Sequence, residues 1–427
     1  MQRYADTALG VPTEFPLSSH WFPLPKPHRI GHIRLVSIPF VAQIALVACQ
    51  GCATLLLVLR LLPGRTRRPP IAPLLGDAHA GRVTVVVTSL DEVHRIGPCL
   101  DGLRQQGAAM LEALIVDSRS KDGTWELIQA AAAADPRIVP MHDDPLPPEW
   151  VGKVWALEHG LRHAKGDWVL GIDADTTPQP GLVAAAVNAA EEFGYDAVSF
   201  APRFNEMTVA EQWLQPAMLT TLVYRFGAAG EKAPAPDRVM ANGQCFLAKR
   251  ATLLANGGYS SARRSWCDDV TLARHMARNG ARVGFLDGAH IIGVRAYSGI
   301  GQMWREWGRS IDLKDGTTPL TQFFDVCFVL LTQFLPLPSI VIGLLLGAPS
   351  WQALSVAGVW FWMNVALVAI RVLLTFGLAG SYAERHWTFW VSFTADPVAA
   401  IRIVLSSLKR PRQWRTRHYE ADTVVAT

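Results

Sequence analysis

Carboxylates recur in this sequence in short, closely spaced groups: Asp91-Glu92, Asp117, the Asp173-Ala174-Asp175 triplet and Asp268-Asp269. Two carboxylates at i and i+2 in a loop present oxygens to one side. That donor set suits Mg²⁺ or Mn²⁺, hard cations that often share their ligands with substrate phosphates. The only positive side chains in the loops after the first strands are Arg95, Arg119 and Lys121. An acidic cluster so weakly compensated repels itself, and a divalent cation would resolve that. Each acid also has a plainer reading. Asp122, ahead of Gly123, suits a turn, and Asp268 and Asp269 suit the N-cap of a helix over Val270 to Arg278. His159 and His163 are spaced i, i+4 on an expected helix but lack a third ligand, so an exposed helix face accounts for them. The six cysteines are scattered, and the one close pair, Cys49 and Cys52, lies in an apolar run, so neither a zinc site nor a disulfide framework follows.

The elements that must position these acids can be read from periodicity. Arg82 to Ser89 (RVTVVVTS) is a β-branched run suited to a buried strand, and Ile96 to Gln106 has the apolar spacing of a helix. The pattern repeats with Leu111 to Val116 as strand and Thr124 to Ala134 as helix. Arg137 to Met141 makes a third strand, Trp155 to Ala164 a helix, and Trp168 to Ile172 a fourth strand that ends at the Asp triplet. Strands alternating with helices predict an α/β fold with a mainly parallel, Rossmann-like sheet. In such sheets ligands collect at the carboxyl ends of the strands. Asp91, Glu92, Asp117, Asp173 and Asp175 all fall just past such ends and are expected to share one crevice.

With these residues in order, the stretch from Arg82 to Trp307 resembles the family 2 glycosyltransferases. The resemblance rests on Ser89-Leu90-Asp91-Glu92, on Val116-Asp117-Ser118-Arg119-Ser120-Lys121-Asp122-Gly123-Thr124 (Ser118 standing where the family has a second Asp), and on Trp150-Val151-Gly152-Lys153. It continues through the Asp173-Ala174-Asp175 triplet, Asn242-Gly243-Gln244-Cys245, Trp266-Cys267-Asp268-Asp269, and Gln302-Met303-Trp304-Arg305-Glu306-Trp307. In the last of these, Glu306 takes the place of the family's tryptophan and Trp307 follows one residue late. The resemblance implies an inverting enzyme with a GT-A nucleotide-sugar-binding domain. It makes Asp269 the base and places Glu92, Asp117, Lys153, Asp173 and Arg305 around a UDP-, GDP- or dTDP-linked sugar. It further assigns Asp175 and Asp173 to the metal, and Gly243, Gln244, Asp268, Gln302, Trp304 and Trp307 to the donor and acceptor loops.

The rest of the chain speaks of a membrane. Half of its 427 residues are hydrophobic and 18% are charged. Low-charge stretches at 35–62, 319–347 and 355–378 exceed the roughly 20 residues that a spanning helix needs. They flank a globular block, 81–318, and give the α/β domain N- and C-terminal transmembrane helices. Residues 387–408, interrupted by Asp396, Pro397 and Arg402, are expected to lie at the interface, followed by a basic tail, 409–427. Arg60, Arg65, Arg67 and Arg68 after the first span, and the basic tail, orient the block to the cytoplasm. Lys26, Arg29 and Arg34, in the tail 1–34, weaken that assignment. A net charge of +4, concentrated beside the spans, argues against nucleic acid as a partner.

Thr208 to Phe226 has an apolar pattern compatible with a helix lying on the bilayer, and equally with a helix packed in a core. The first reading, with the interrupted segment, would set the acceptor site near the headgroups and make the acceptor a membrane lipid. The layout resembles ceramide glucosyltransferases and, more closely, bacterial carotenoid (myxol) glycosyltransferases. A hydroxylated carotenoid is therefore the first expectation, with ceramide, a hopanoid or a polyprenyl phosphate as alternatives. A catalytically silent scaffold that binds nucleotide sugars is the alternative from another class, and the complete set of carboxylates argues against it.

Overall fold

The computed structural model describes residues 40–205, 207–232, 235–295, 297–308, 311–345, 355–409, 413–414 and 417–418. The tail 1–34 and most of 409–427 fall outside them. The chain divides into two units, Met1–Gln43, of which only 40–43 are described, and Ile44–Thr427, which holds the structure discussed below.

The strands are β1 Val83–Ser89, β2 Met110–Asp117, β3 Ile138–His142, β4 Trp168–Asp173, β5 Thr176–Pro178, β6 Ala197–Ala201, β7 Arg203–Phe204, β8 Cys245–Lys249, β9 Val283–Asp287 and β10 Ile292–Val294. The α-helices are α1 Phe40–Leu61, α2 Ile96–Arg104, α3 Thr124–Ala134, α4 Gly152–His163, α5 Leu182–Glu192, α6 Val209–Phe226, α7 Arg250–Ala255, α8 Asp268–Arg278, α9 Ile300–Glu306, α10 Pro319–Val329, α11 Pro336–Leu345, α12 Val356–Leu378, α13 Trp387–Trp390 and α14 Asp396–Leu408.

A seven-stranded sheet runs in the order β3-β2-β1-β4-β8-β6-β9, and β5, β10 and β7 form a small second sheet. Every residue of β1 is buried, as its β-branched run predicts. Alternation sends Val83, Val85 and Val87 into one core with α2 and α5, and Val86 into the other with α4 and α8. β1, β2, β3 and β4 are parallel, but β4 is laid on the far side of β1 from β2, which opens a crevice at their carboxyl ends. The register sets Ser89 opposite Asp117 and Thr88 opposite Asp173, so the acidic ends are level. β8 runs antiparallel to β4, with Cys245 opposite Ile172, and this carries the Asn242–Gln244 loop up to Asp173.

Two helices, Phe40–Thr66 and Val356–Ser381, are long and apolar enough to cross a membrane, and a third candidate is the bent pair formed by α10 and α11. The expected span 319–347 is therefore not one straight helix. It is interrupted by a π-turn at Leu330–Phe334 and bends by 41°. Pro336 and Pro338 lack the N–H groups that would continue the ladder, and Leu335 donates instead to Leu330, at 2.9 Å.

Residues 387–408 are likewise divided into α13, a 3₁₀ turn at Ser392–Ala395 and α14, because Pro397 sits at the start of a new helix. Asp396, which looked like an interruption, is buried and pairs with Arg371 of α12 at 3.0 Å. Of the two readings of α6, the structure shows the packed one. The helix opens with a capping box between Thr208 and Glu211 and buries Gln212, Leu214, Gln215, Ala217 and Met218 against α13 and α14.

Candidate active site

Asp173 closes β4, and the chain then turns tightly: Ala174 is buried and Thr176 Oγ1 donates to the Asp173 carbonyl at 2.8 Å. The Asp173 carboxylate meets Lys153 Nζ at 2.8 Å. Asp175 stands 3.8 Å from Arg95, whose other terminal nitrogen is 3.0 Å from Glu92. The acids are thus better compensated than the sequence suggested. Lys153 arrives from the first turn of α4, and no local spacing could have announced the pair. Of the expected local cations, Arg119 turns away into a two-pronged pair with Asp144, at 2.9 and 3.0 Å. Lys121 contributes its backbone N–H to Asp91 at 2.9 Å.

Asp268 and Asp269 lie within the first turn of α8, and Cys267 holds the N-cap position without a side-chain hydrogen bond, so neither acid is the cap. Gly243 N donates to Asp269 Oδ2 at 2.7 Å and Val270 N to Oδ1 at 2.9 Å, which fixes the carboxylate. Burial, then the neighbouring Asp268 charge, push Asp269 up to about 6, against the pull of Lys153. Burial works against the charge on Lys153 too, but Asp173, Asp268 and Asp269 outweigh it and raise the ammonium. A side chain at Gly243 would crowd this point, since a Cβ there stands 3.1 Å from Lys153 Nζ and 3.5 Å from Asp269 Cβ. Asn242 holds the loop through Ser199, at 2.7 Å, and through Gln244, at 3.0 Å.

Asp117 is fully buried and accepts from Ser89 Oγ at 3.0 Å and Ser120 N at 2.9 Å, which secures the loop after β2. Ser118, the departure from the family pattern, donates to Asp143 at 2.8 Å. Sequence reasoning passed over Asp143, although it follows the carboxyl end of β3 as the other acids follow theirs.

A cavity of about 720 Å³ joins these groups to the helical part of the chain. Lys153, Asp173, Gly243, Gln244, Asp268 and Asp269 line its polar end. Leu222 and Val223 of α6, Ile370, Leu373, Leu374 and Gly377 of α12 and Leu61 of α1 line the rest. Glu92, Asp117 and Asp175 are not part of its lining. From α9 and its end, only Trp307 reaches the cavity. Met303 and Trp307 share the inner face at i, i+4, which turns Arg305 outward to an exposed position. Gln302 bridges Ser298 N and Glu306 at 2.8 Å each, and Trp304 packs under Arg402, with 5.2 Å between ring centre and guanidinium. The structure therefore does not bring Gln302, Trp304 or Arg305 to the cavity wall.

Among the described residues no group of three His, Cys, Asp or Glu side chains could hold a metal ion alone. Asp173 and Asp175 nevertheless offer an all-oxygen pair at a strand end. That fits a cation of the Mg²⁺ type, which takes one or two carboxylates and completes its shell with phosphate oxygens and water.

Residues 84–254 match the family model described as Glycosyl transferase family 2. That stretch, about two fifths of the chain, is similar to the family 2 glycosyltransferases. Among solved structures, the mannosyltransferase PcManGT from Pyrobaculum calidifontis, in complex with GDP-Man and Mn²⁺, is similar with a TM-score of 0.52 and 22% identity, over 88% of this chain and 99% of that one. S. aureus TarS 1–349 with UDP-GlcNAc matches with a TM-score of 0.39 and 15% identity, over 75% and 92% of the two chains. Glucosyl-3-phosphoglycerate synthase from Mycobacterium tuberculosis, with Mn²⁺, UDP and phosphoglyceric acid, matches with a TM-score of 0.38 and 22% identity, over 56% and 79%. No curated protein matches the sequence. The chain is a glycosyltransferase of GT-A fold.

Proposed function

We propose that this glycosyltransferase moves a sugar, with inversion, from a nucleoside-diphosphate sugar to a hydroxyl of a membrane lipid. The observation that carries the reading is the continuity of one cavity from Lys153, Asp173 and Asp269 to an apolar wall made by α6 and α12, the latter long and apolar enough to cross a membrane. At about 720 Å³ it suits a ligand-sized occupant, and a wall of that chemistry favours an acyl or isoprenoid chain over a water-soluble acceptor.

In this scheme the donor lies over the crevice between β1 and β4. Asp117 and Glu92 support its nucleotide side, and Lys153 with Gly243 and Gln244 border the sugar. Asp269 accepts the proton of the acceptor hydroxyl as that oxygen bonds to the anomeric carbon and the bond to the diphosphate breaks. A raised carboxylate, held by two backbone N–H groups, is a better proton acceptor than an ordinary aspartate and stays ionised at neutral pH. Asp173 and Asp175 would hold a divalent cation, Mg²⁺ or Mn²⁺, whose chemistry is to offset charge on the departing diphosphate. The catalytic domain faces the cytoplasm in this reading, where nucleotide sugars are made.

A hydroxylated carotenoid remains the first candidate acceptor, through the resemblance in layout. Membranes holding the full chain, incubated with labelled UDP-, GDP- and dTDP-sugars and separate lipid classes, test it. Label in an extractable xanthophyll product is the expected result. Transfer to ceramide, hopanoid or polyprenyl phosphate alone would replace the carotenoid, and label found only on water-soluble acceptors would overturn the lipid reading.

A further inference from the structure

A second cavity, of about 260 Å³, opens at the end of α1. Arg60 from the last turn of that helix lines it, with Arg225 and Phe226 from the end of α6, and Lys232 and Arg238 from the segment that follows. The guanidinium carbons of Arg225, Arg238 and Arg274 stand 5.0, 4.8 and 5.1 Å from the centre of the Phe226 ring. Counter-charge comes from Asp325, Glu231 and the buried Asp312, whose charge acts on Arg225. Asp325 is 3.6 Å from Arg238, and Glu231, on the cavity wall, accepts from Ala228 N at 2.8 Å.

Arg225 is fully buried and directs its N–H groups to the carbonyls of Thr221, Ile311 and Asp312, at 2.8, 2.5 and 3.3 Å. Arg274 donates to the carbonyls of Val239 and Gly316, at 3.0 and 2.8 Å. Carbonyls satisfy donors but carry no net charge. Burial pulls Arg225 and Arg274 down to about 10. The buried Nη1 of Arg60 and Nη2 of Arg274 make no hydrogen bond. Against these three carboxylates stand Arg60, Arg225, Lys232 and Arg238 on the cavity wall and Arg274 beside Phe226; Arg225 and Arg274 are buried, and buried positive charge is costly until an anion joins it.

We propose that this cavity binds an anionic phosphate, presented by the headgroup of a membrane lipid or as the free ion. Guanidinium forks match phosphate oxygens in planar geometry, and Arg60 lies in the final turn of a helix able to span the bilayer, which is headgroup depth. The site is separate from the catalytic cavity but shares a wall with it: Gly227, Ala228, Glu231 and Met240 line both. An occupant steadies the segment from which the catalytic cavity is built.

The test uses the full chain purified in a zwitterionic detergent, with thermal unfolding followed during titration with phosphatidylglycerol, phosphatidylcholine or inorganic phosphate. Stabilisation by phosphatidylglycerol and not by phosphatidylcholine is expected, and an equal response to inorganic phosphate supports the site with the free anion as its source. Joint replacement Arg60→Gln and Lys232→Gln, which spares the buried Arg225, should weaken the response roughly tenfold or more, as loss of charged hydrogen bonds implies. The charge-preserving pair Arg60→Lys and Lys232→Arg should retain it. No stabilisation by either anion, or an unchanged response in the Gln pair, overturns the proposal.

Discussion

Asp269 combines three properties that seldom meet in one carboxylate: a half-buried position, a like charge beside it in Asp268, and two backbone donors that fix its plane. The role of base proposed for it predicts that Asp269→Asn lowers transfer by about 10²–10⁴-fold while leaving the unfolding temperature nearly unchanged, measured on the same preparation. The pH dependence follows in sign. The folded pKa is raised from 3.8 to about 6, so the active, ionised form is full above that value, and kcat/KM should fall as pH drops through about 6. A profile flat down to the ordinary aspartate range would remove Asp269 from the role. Asp173 and Asp175 carry a separate prediction. Chelation should abolish transfer and added Mg²⁺ or Mn²⁺ restore it, whereas Asp175→Ala should need much more metal for the same rate.

At the scale of elements, what holds the candidate membrane helices to one another and to α14 is polar as well as apolar. Arg371 of α12 pairs with Asp396 of α14 at 3.0 Å and donates to Thr375 and Ser392, at 2.6 and 3.2 Å, while Gln333 reaches the same carboxylate at 3.2 Å. Removing one partner strands the other inside. Arg371→Leu should therefore destabilise the fold by about 3–5 kcal/mol, and the joint Arg371→Leu, Asp396→Leu replacement should recover much of that, as thermal unfolding in detergent can decide. Periodicity located helices well both in the sheet domain and beyond it: α3 spans the expected residues and α12 begins one residue inside its expected start. It missed how they are divided. The prolines at 336, 338 and 397 were visible, but whether a proline ends, bends or starts a helix depends on the carbonyls and neighbours it meets.

For the whole molecule, the decisive feature is one cavity with a polar end and an apolar end. If the apolar end takes the acceptor chain, filling it should separate acceptor from donor. Gly377 lines that end and has open space where a side chain would go. Gly377→Trp should raise the KM for the lipid acceptor or abolish transfer to it, while slow hydrolysis of the nucleotide sugar continues. Equal loss of both activities would instead mean that the substitution disturbs the catalytic end.

The sequence alone determined the alternation of strand and helix, the acids at strand ends and the apolar stretches, because each follows from local period and composition. It also placed Asp268 and Asp269 at the start of α8. Other features were decided only by tertiary packing. Lys153 meets Asp173 because α4 lies on the sheet above β4's end, and Asp269 meets Gly243 because β8 runs antiparallel into the crevice. Arg305 turns outward because Met303 and Trp307 claim the buried face of α9. The join between acids and apolar wall brings Lys153 and Asp173 together with Ile370 and Leu374 of α12, far apart in sequence. Short-range pattern carries no record of such meetings, since they depend on which faces must be covered once the whole chain is folded.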